Sequence, residues 1–513
     1  MFLAPRNLLR LAGIVGVLCR HGALIPLDFP GARGLLAAVL RRLTHPAMRD
    51  LPPGQRLAAA LQRLGPTFIK FGQALSTRPD LVGEEIAADL SELQDRLQPF
   101  SAEEARRIVA AELDRPLESL FQSFDDAAVA AASIAQVHFA VTTEGEEVAV
   151  KVLRPGVEAE FARDIALFAW LAAWAERLFP TLRRLRLADS VRTFEDSVTL
   201  EMDLRFEAAA AAEMAENFAG DDSFVIPRID WQRTGRRVLT LERVHGIPID
   251  EVDAIAAAGL DLDGVVEEAA NAFFNMVFRD GFFHADMHPG NLFVGARGQL
   301  IAVDFGITGR VDKQTRRYLG EMLLGFLNGD YRRVAEVHFE AGFVPPDKSI
   351  DAFTQACRSI AEPLLGRPLN EISIARLLGQ LFEVTKTFAM ETQPQLLLLQ
   401  KSMLVAEGVG RRLAPGVNMW ELSRPLIERW MAGHLGPAAR VRDAAGTLVA
   451  TLESLPRLVA HAERTVEALR NGGLRLHADS MKAMGQAGRG NGLFPTWLPW
   501  VLAAILAALL LRR

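Results

Sequence analysis

His284-Ala-Asp286-Met-His288-Pro-Gly-Asn291 and, thirteen residues after that Asn, Asp304-Phe-Gly306 bring two carboxylates and an amide into one stretch of chain. Hard oxygen donors of this kind suit Mg²⁺, which keeps several waters and is held through one or two carboxylates plus the phosphates of a substrate. The apolar run Leu300-Ile-Ala-Val303 places Asp304 at the end of a buried strand. Zinc is a competing reading, because His284 and His288 stand four apart. Pro289-Gly290 disfavours a helix there, and no Glu follows His284 as H-E-x-x-H would need. A purely structural polar loop is the remaining alternative.

An Asp five residues before an Asn, followed by D-F-G after a short hairpin, is the order of metal and base residues in kinases. Such chemistry needs upstream elements to position the nucleotide. Glu147-Val-Ala-Val-Lys151-Val-Leu153 puts Val148, Val150 and Val152 on one face and Lys151 on the other. This is the strand from which an ammonium meets the α/β-phosphates and a helix carboxylate. A charge inside so apolar a strand is costly unless paired; a lysine on an edge strand, pointing to water, is the alternative. Where a glycine-rich loop would precede that strand, the chain has Ala130-Ala131-Ala132-Ser133. Alanine resists the positive-φ geometry that lets glycines wrap phosphates, so this loop is expected to be stiffer. Taken alone, an alanine run reads as helix.

The carboxylate for Lys151 is open among Glu201, Asp203 and Glu207, with Glu201 the first choice. Val238–Leu241 reads as a strand leading to a hinge at Glu242–Gly246, where backbone groups near Val244 would take adenine. After Gly306 only a short stretch precedes Asp312, which opens an N-capped amphipathic helix. A protein kinase needs a long activation segment there, so peptide phosphorylation is disfavoured. Further upstream, Leu64-Gly-Pro66-Thr-Phe-Ile-Lys70-Phe-Gly72-Gln73 starts a helix at Pro66 with Lys70 and Gln73 on one face.

Lys70-x-Gly72-Gln73, Ser-Ile-Ala-Gln-Val-His after the alanines, Val-Ala-Val-Lys151, Glu201-x-Asp203, Asp280-Gly-Phe-Phe-His-Ala-Asp-Met-His-Pro-Gly-Asn291 and Gln393-Pro-Gln-Leu-Leu-Leu-Leu-Gln-Lys401 together closely resemble the UbiB family of atypical kinase-like proteins. The resemblance runs in order from about residue 25 to about 440. It implies an α+β, two-lobed protein-kinase-like fold with an N-terminal helical extension over the active site. ATP or ADP with Mg²⁺ would be the cofactors. Asp286 and Lys151 would be catalytic, and Asn291 and Asp304 would hold the metal. Ala130, Ala131, Ala132, Ser133, Lys151, Glu201 and Val244 would bind the nucleotide. Lys70, Gln73 and Asp203 would be regulatory, Lys70 and Gln73 reaching the nucleotide site or the Glu201/Asp203 pair and restraining phosphotransfer. Leu204 and Arg205 depart from the pattern expected after that pair, which keeps the partner of Lys151 open. The family is linked to ubiquinone biosynthesis at membranes, through ATP hydrolysis coupled to lipid intermediates. Lipid quinone precursors, the membrane and other quinone-biosynthetic enzymes are therefore the implied partners. A small-molecule phosphotransferase and a non-catalytic, nucleotide-gated scaffold are the alternatives.

A 513-residue chain that is 50% hydrophobic and 23% charged has ample material for a large core. Its net charge of −6 argues against nucleic acid as a partner, and two distant cysteines, Cys19 and Cys357, offer no disulfide framework. Residues 493–511 are uncharged, carry Trp497 and Trp500, and are just long enough to cross a bilayer. The expected plan is a possible membrane-interface helix at 1–27, the helical extension at 28–120, an N-lobe at 121–243 and a C-lobe at 244–440. A helical linker at 441–490 and a single-pass anchor at 493–511 complete it. With the lobes on the cytoplasmic side of a bacterial-type inner membrane, Arg512-Arg513 would run against the positive-inside tendency, so the anchor's orientation stays open.

Overall fold

The valine alternation around Lys151 forms a strand in the computed structural model. The structure describes residues 5–24, 42–76, 82–179, 186–362 and 383–435, apart from 92, 94–96, 386, 391–393 and 418. Helices α1 (Pro5–His21), α2 (Pro53–Leu64), α3 (Pro66–Ser76), α4 (Glu84–Ser91) and α5 (Ala102–Glu112) come first. Strands β1 (Phe121–Ala131), β2 (Ala135–Thr142) and β3 (Glu147–Leu153) follow as an antiparallel meander. The chain then passes through α6 (Val157–Leu178), α7 (Leu187–Glu201), α8 (Leu204–Asn217) and β4 (Phe224–Val225) to β5 (Val238–Glu242). β5 pairs with β3, so the sheet runs β1-β2-β3-β5 and Lys151 stands on an inner strand between Val137 of β2 and Leu239 of β5. An edge-strand lysine is thereby ruled out.

The two faces of the sheet bury different partners, as the period-2 pattern requires. Val148, Val150 and Val152 pack with Ile108 and Val109 of α5 and with Phe121 and Phe124. Helix α5 therefore belongs to the core of this sheet, although the expected boundary at 121 leaves it with the extension. Leu153 and Leu239 face a second core shared with Phe161 of α6, Leu204 of α8, and Phe68 and Ile69 of α3. Phe68 and Phe71 meet Phe168 at ring-centroid distances of 5.2 and 4.8 Å, which seats α3 against α6. Gly72 lets α2 come close, since a Cβ there would lie 2.7 Å from Cδ1 of Leu61. Helix α1 buries Ile14 in the same core and ties Arg10 to Asp164 of α6 at 2.7 Å, while Leu9 and Val15 lie on its exposed side.

The second lobe opens with β6 (Ile247–Pro248), α9 (Val252–Ala257) and α10 (Leu262–Phe274), which runs on as a π-helical turn through Asn275–Asp280. Short strands β7 (Phe282–His284), β8 (Leu292–Val294), β9 (Leu300–Ala302) and β10 (Thr308–Arg310) carry the motif loops. They form a β7–β10 pair and a β4-β9-β8-β6 sheet. Helices α11 (Lys313–Leu327), α12 (Tyr331–Glu340), α13 (Ile350–Ala361), α14 (Pro394–Leu413) and α15 (Met419–Leu435) complete the described chain. Asp312 caps α11 by accepting from the amides of Gln314 and Thr315. β10 returns directly onto β7 after Gly306, so the short segment expected from sequence is present and no long activation segment intervenes.

Residues 1–431 form one compact unit, and of the second unit, 432–513, only 432–435 are described. The expected linker at 441–490 and anchor at 493–511 lie outside the described residues. Among the described residues no helix is long and apolar enough to cross a membrane.

Candidate functional site

β3 delivers Lys151 to the inner face of the N-lobe, where it is buried. Its ammonium lies 2.8 and 2.9 Å from the two carboxylate oxygens of Glu207 and 3.0 Å from Oδ2 of Asp304. The first-choice partner, Glu201, is elsewhere: it pairs with Lys70 at 2.9 Å. The helix breaks at Met202 and Asp203, so Glu201 ends α7 while Glu207 lies one turn into α8. Leu204, Ala208 and Ala211 are buried, and Glu207 shares their inward face. Asp203 caps α8 through the Arg205 amide and is held by the Arg205 guanidinium at 2.6 Å. That guanidinium keeps its carboxyl below the ordinary range.

Burial raises the Glu207 carboxyl to about 7 against the pull of Lys151. Desolvation pushes the Lys151 ammonium down, but Asp304 and Glu207 outweigh it and hold the ammonium above its ordinary value. Desolvation likewise pushes Asp304 up, yet Lys151, and Lys70 farther off, bring it down to about 2. Asp304 keeps 44% of its side-chain surface. The two carboxylates on Lys151 thus differ in kind: one is enclosed, the other faces the cleft.

Asp304 has a φ of 61°, in the left-handed region that Asp tolerates better than most residues, and accepts from the Gly306 amide at 3.3 Å. Non-glycine residues held there cluster at functional sites. The preceding loop is pegged by His284, fully buried, whose Nε2 donates to the Val303 carbonyl at 3.2 Å and whose Nδ1 accepts from the Asp286 amide at 3.1 Å. Desolvation lowers its pKa and favours this neutral form. His284 therefore fixes the loop to the strand before Asp304, and the zinc reading has no partner for it: among the described residues no metal cluster of His, Cys, Asp and Glu occurs. Asn291 Nδ2 donates to the Asp286 carbonyl at 3.0 Å and lies 3.4 Å from its Oδ2. Lys401 of α14, which sequence reasoning gave no role, lies 3.0 Å from Asp286 Oδ1.

Ala130 and Ala131 end β1 as strand residues, against the helix an alanine run suggests in isolation. Cross-strand pairing with Val137 and Gln136 overrides the local propensity. Ala132, Ser133 and Ile134 turn the hairpin, closed by the Ala132 amide on the Ala135 carbonyl at 2.8 Å, and Ser133 is buried. Val244 lies in the irregular link between β5 and β6, beside Arg243, whose amide bonds the Glu147 carbonyl at 3.0 Å. Gln73 is half-buried on α3, and its carbonyl accepts from Ser76 Oγ at 2.7 Å. The structure thus joins Lys151 with Glu207 and Asp304, sets the Lys70–Glu201 pair near enough for its charges to act on Glu207 and Asp304, and brings Asp286 together with Asn291 in a separate group.

A family model described as the ABC1 atypical kinase-like domain matches residues 92–338, and one described as the UbiB helical domain matches residues 357–418. A Marinobacter nauticus protein named probable protein kinase UbiB is 42% identical over 412 residues, spanning 80% of this chain and 75% of that one. One of the same name from Azotobacter vinelandii is 42% identical over 422 residues, 82% and 78% of the two chains. A solved Mycobacterium tuberculosis protein, in complex with erythromycin, is similar in fold with a TM-score of 0.51 at 24% identity, over 72% of this chain and 93% of that one. With its kinase-like α+β architecture and relatives of this similarity over most of its length, the chain belongs to the UbiB family of atypical kinase-like proteins.

Proposed function

We propose that this chain is a membrane-associated atypical kinase that binds Mg-nucleotide and works as an ATPase in ubiquinone biosynthesis, with hydrolysis coupled to the handling of lipid quinone intermediates. The observation that carries the reading is Lys151 poised between Glu207 at 2.8 Å and Asp304 at 3.0 Å. A lysine so placed can turn its ammonium to the α/β-phosphates while the buried Glu207 keeps its stem aligned. Asp304 and Asn291 supply a carboxylate and an amide of the hard-oxygen kind that fits Mg²⁺. These residues would hold the ion, which would supply positive charge against the phosphates in phosphoryl transfer. Asp286, five residues before Asn291, would orient the attacking water or alcohol.

Two features favour water or a small acceptor over a peptide. β10 and α11 follow Gly306 at once, leaving no platform for a peptide. Lys70 reaches Glu201 from an extension outside the two lobes, beside the Lys151 cluster. Membrane association rests on the uncharged 493–511 stretch and on the family. The test is ATP turnover by the purified full chain on anionic liposomes, with and without a lipid quinone precursor, paired with the quinone pool of cells lacking the chain. Turnover that needs Mg²⁺, rises with the lipid and is lost in Asp286→Asn, together with quinone restored only by the parent chain, is the expected result. Quinone restored equally by Asp286→Asn would overturn the enzymatic reading in favour of a scaffold.

A further inference from the structure

We propose that Lys401 is a positioning residue for Asp286, so that helix α14 sets the aim of the carboxylate from outside the kinase-like domain. The inference rests on the reading of Asp286 given above. Both oxygens of that carboxylate are engaged: Lys401 Nζ lies 3.0 Å from Oδ1, and Asn291 Nδ2 lies 3.4 Å from Oδ2. The next residue on α14, Ser402, is fully buried. Its Oγ donates to the Leu398 carbonyl at 3.0 Å and lies 3.5 Å from the carbonyl of His284. Consecutive residues of one helix therefore meet both ends of the His284–Asp286 segment.

Stability does not account for the lysine. The side chains of Lys401 and Asp286 keep 36% and 33% of their surface, and ion pairs this exposed add little to folding. Orientation does account for it, because a carboxylate that must direct an acceptor loses rate steeply when misplaced. The loop offers no lysine or arginine of its own: Met287, His288, Pro289 and Gly290 separate Asp286 from Asn291. Lys401 lies instead in the stretch matched by the UbiB helical domain, 115 residues from Asp286 in sequence. Movement of α14, by whatever docks on the helical domain, is thereby transmitted to the carboxylate.

The test compares Mg²⁺-dependent ATP turnover and nucleotide Kd for the full chain, Lys401→Met, Lys401→Arg, Asp286→Asn and the Lys401→Met/Asp286→Asn double variant. Lys401→Met should lower kcat about a hundredfold, the scale of an ångström-sized misplacement, with nucleotide Kd unchanged. Lys401→Arg should recover most of that loss. The double variant should turn over no more slowly than Asp286→Asn alone, since a residue acting through Asp286 has nothing left to act on. Parental kcat in Lys401→Met, or a loss that multiplies onto that of Asp286→Asn, overturns the positioning role and leaves the functional reading standing. Undiminished turnover in Asp286→Asn alone sinks the functional reading, and the role of Lys401 with it.

Discussion

Replacing Glu207 by Gln keeps the shape of the side chain and removes its charge. Lys151 then loses an ionic partner at 2.8 and 2.9 Å but keeps Asp304 at 3.0 Å. A hydrogen bond to a charged group contributes about 1.5–3 kcal/mol. Gln still offers one acceptor oxygen and Asp304 remains, so the loss belongs at the lower end, about 1.5 kcal/mol. In a unit of this size that is a fall of about 2 °C in Tm. Nucleotide binding suffers for a further reason. With Glu207 neutral, the ammonium is drawn wholly to Asp304, where it competes with Mg²⁺. A penalty of the same size weakens Mg-nucleotide affinity about tenfold.

The matching control is Glu201→Gln. That carboxylate reaches Lys70 at 2.9 Å and not Lys151, so its loss should leave Mg-nucleotide affinity at the parental value. Titration calorimetry with a non-hydrolysable ATP analogue, in saturating Mg²⁺, measures both variants, and scanning calorimetry gives the two Tm values. The pairing is wrong if Glu201→Gln weakens binding as Glu207→Gln does, or if Glu207→Gln binds as the parent.

Asp304→Asn should abolish the Mg²⁺ dependence of nucleotide binding while the fold survives, because Asn also tolerates a φ of 61°; calorimetry that finds parental Mg²⁺ dependence would remove Asp304 from the metal site. Glu207 also predicts a pH effect. Its carboxyl is raised from 4.5 to about 7 in the folded chain, so between those values the native state holds a proton that the unfolded chain has released. The contribution of this group to stability is complete below 4.5 and falls as the pH climbs through about 7, and Glu207→Gln should flatten that slope in urea melts taken across the window. Arg10→Ala strips a two-point contact, at 3.0 and 2.7 Å, from the fully buried Asp164 and leaves it Arg163 at 3.3 Å. The cost should be about 3 kcal/mol, the low end for breaking a buried pair. A denaturation midpoint equal to the parent's would show that α1 is not clamped through this pair.

What was legible in the sequence was local. The strand under Lys151 is written in three alternating valines, the start of α3 in Pro66, the cap of α11 in Asp312, and the contact of Asn291 with Asp286 in the five-residue step between them. The partner of Lys151 was harder, because three acidic residues lie within seven positions. A continuous helix would turn residues 201 and 207 to different faces, so only one could reach the strand. The deciding signal was present but is easily passed over. Leu204, Ala208 and Ala211 make an apolar stripe that includes the position of Glu207, and Asp203 is a capping residue type placed to begin a new helix. Lys401 had no such signal, since nothing near it in sequence refers to a loop 115 residues away; only tertiary packing joins them.

The charges of the site explain why lysines from elements other than β3 are needed. Among the described residues the site holds Glu201, Glu207 and Asp304 in one group and Asp286 in a second, and β3 supplies a single lysine against them. Like charges gathered in a partly desolvated cleft repel, and each needs a cation nearby to stay ionised at low cost. The helical extension answers with Lys70 and α14 with Lys401. A nucleotide arriving with Mg²⁺ would add phosphates that attract Lys151 and a dication that competes for Asp304, so the Lys151–Asp304 pair would rearrange while the Lys70–Glu201 and Lys401–Asp286 pairs stay closed around it. On this argument Lys70→Met and Lys401→Met should lower the backbone protection of their own helices, α3 and α14, and hydrogen exchange of the two variants beside the parent reads it directly. Protection equal to the parent's in both variants would mean that the lysines only balance charge.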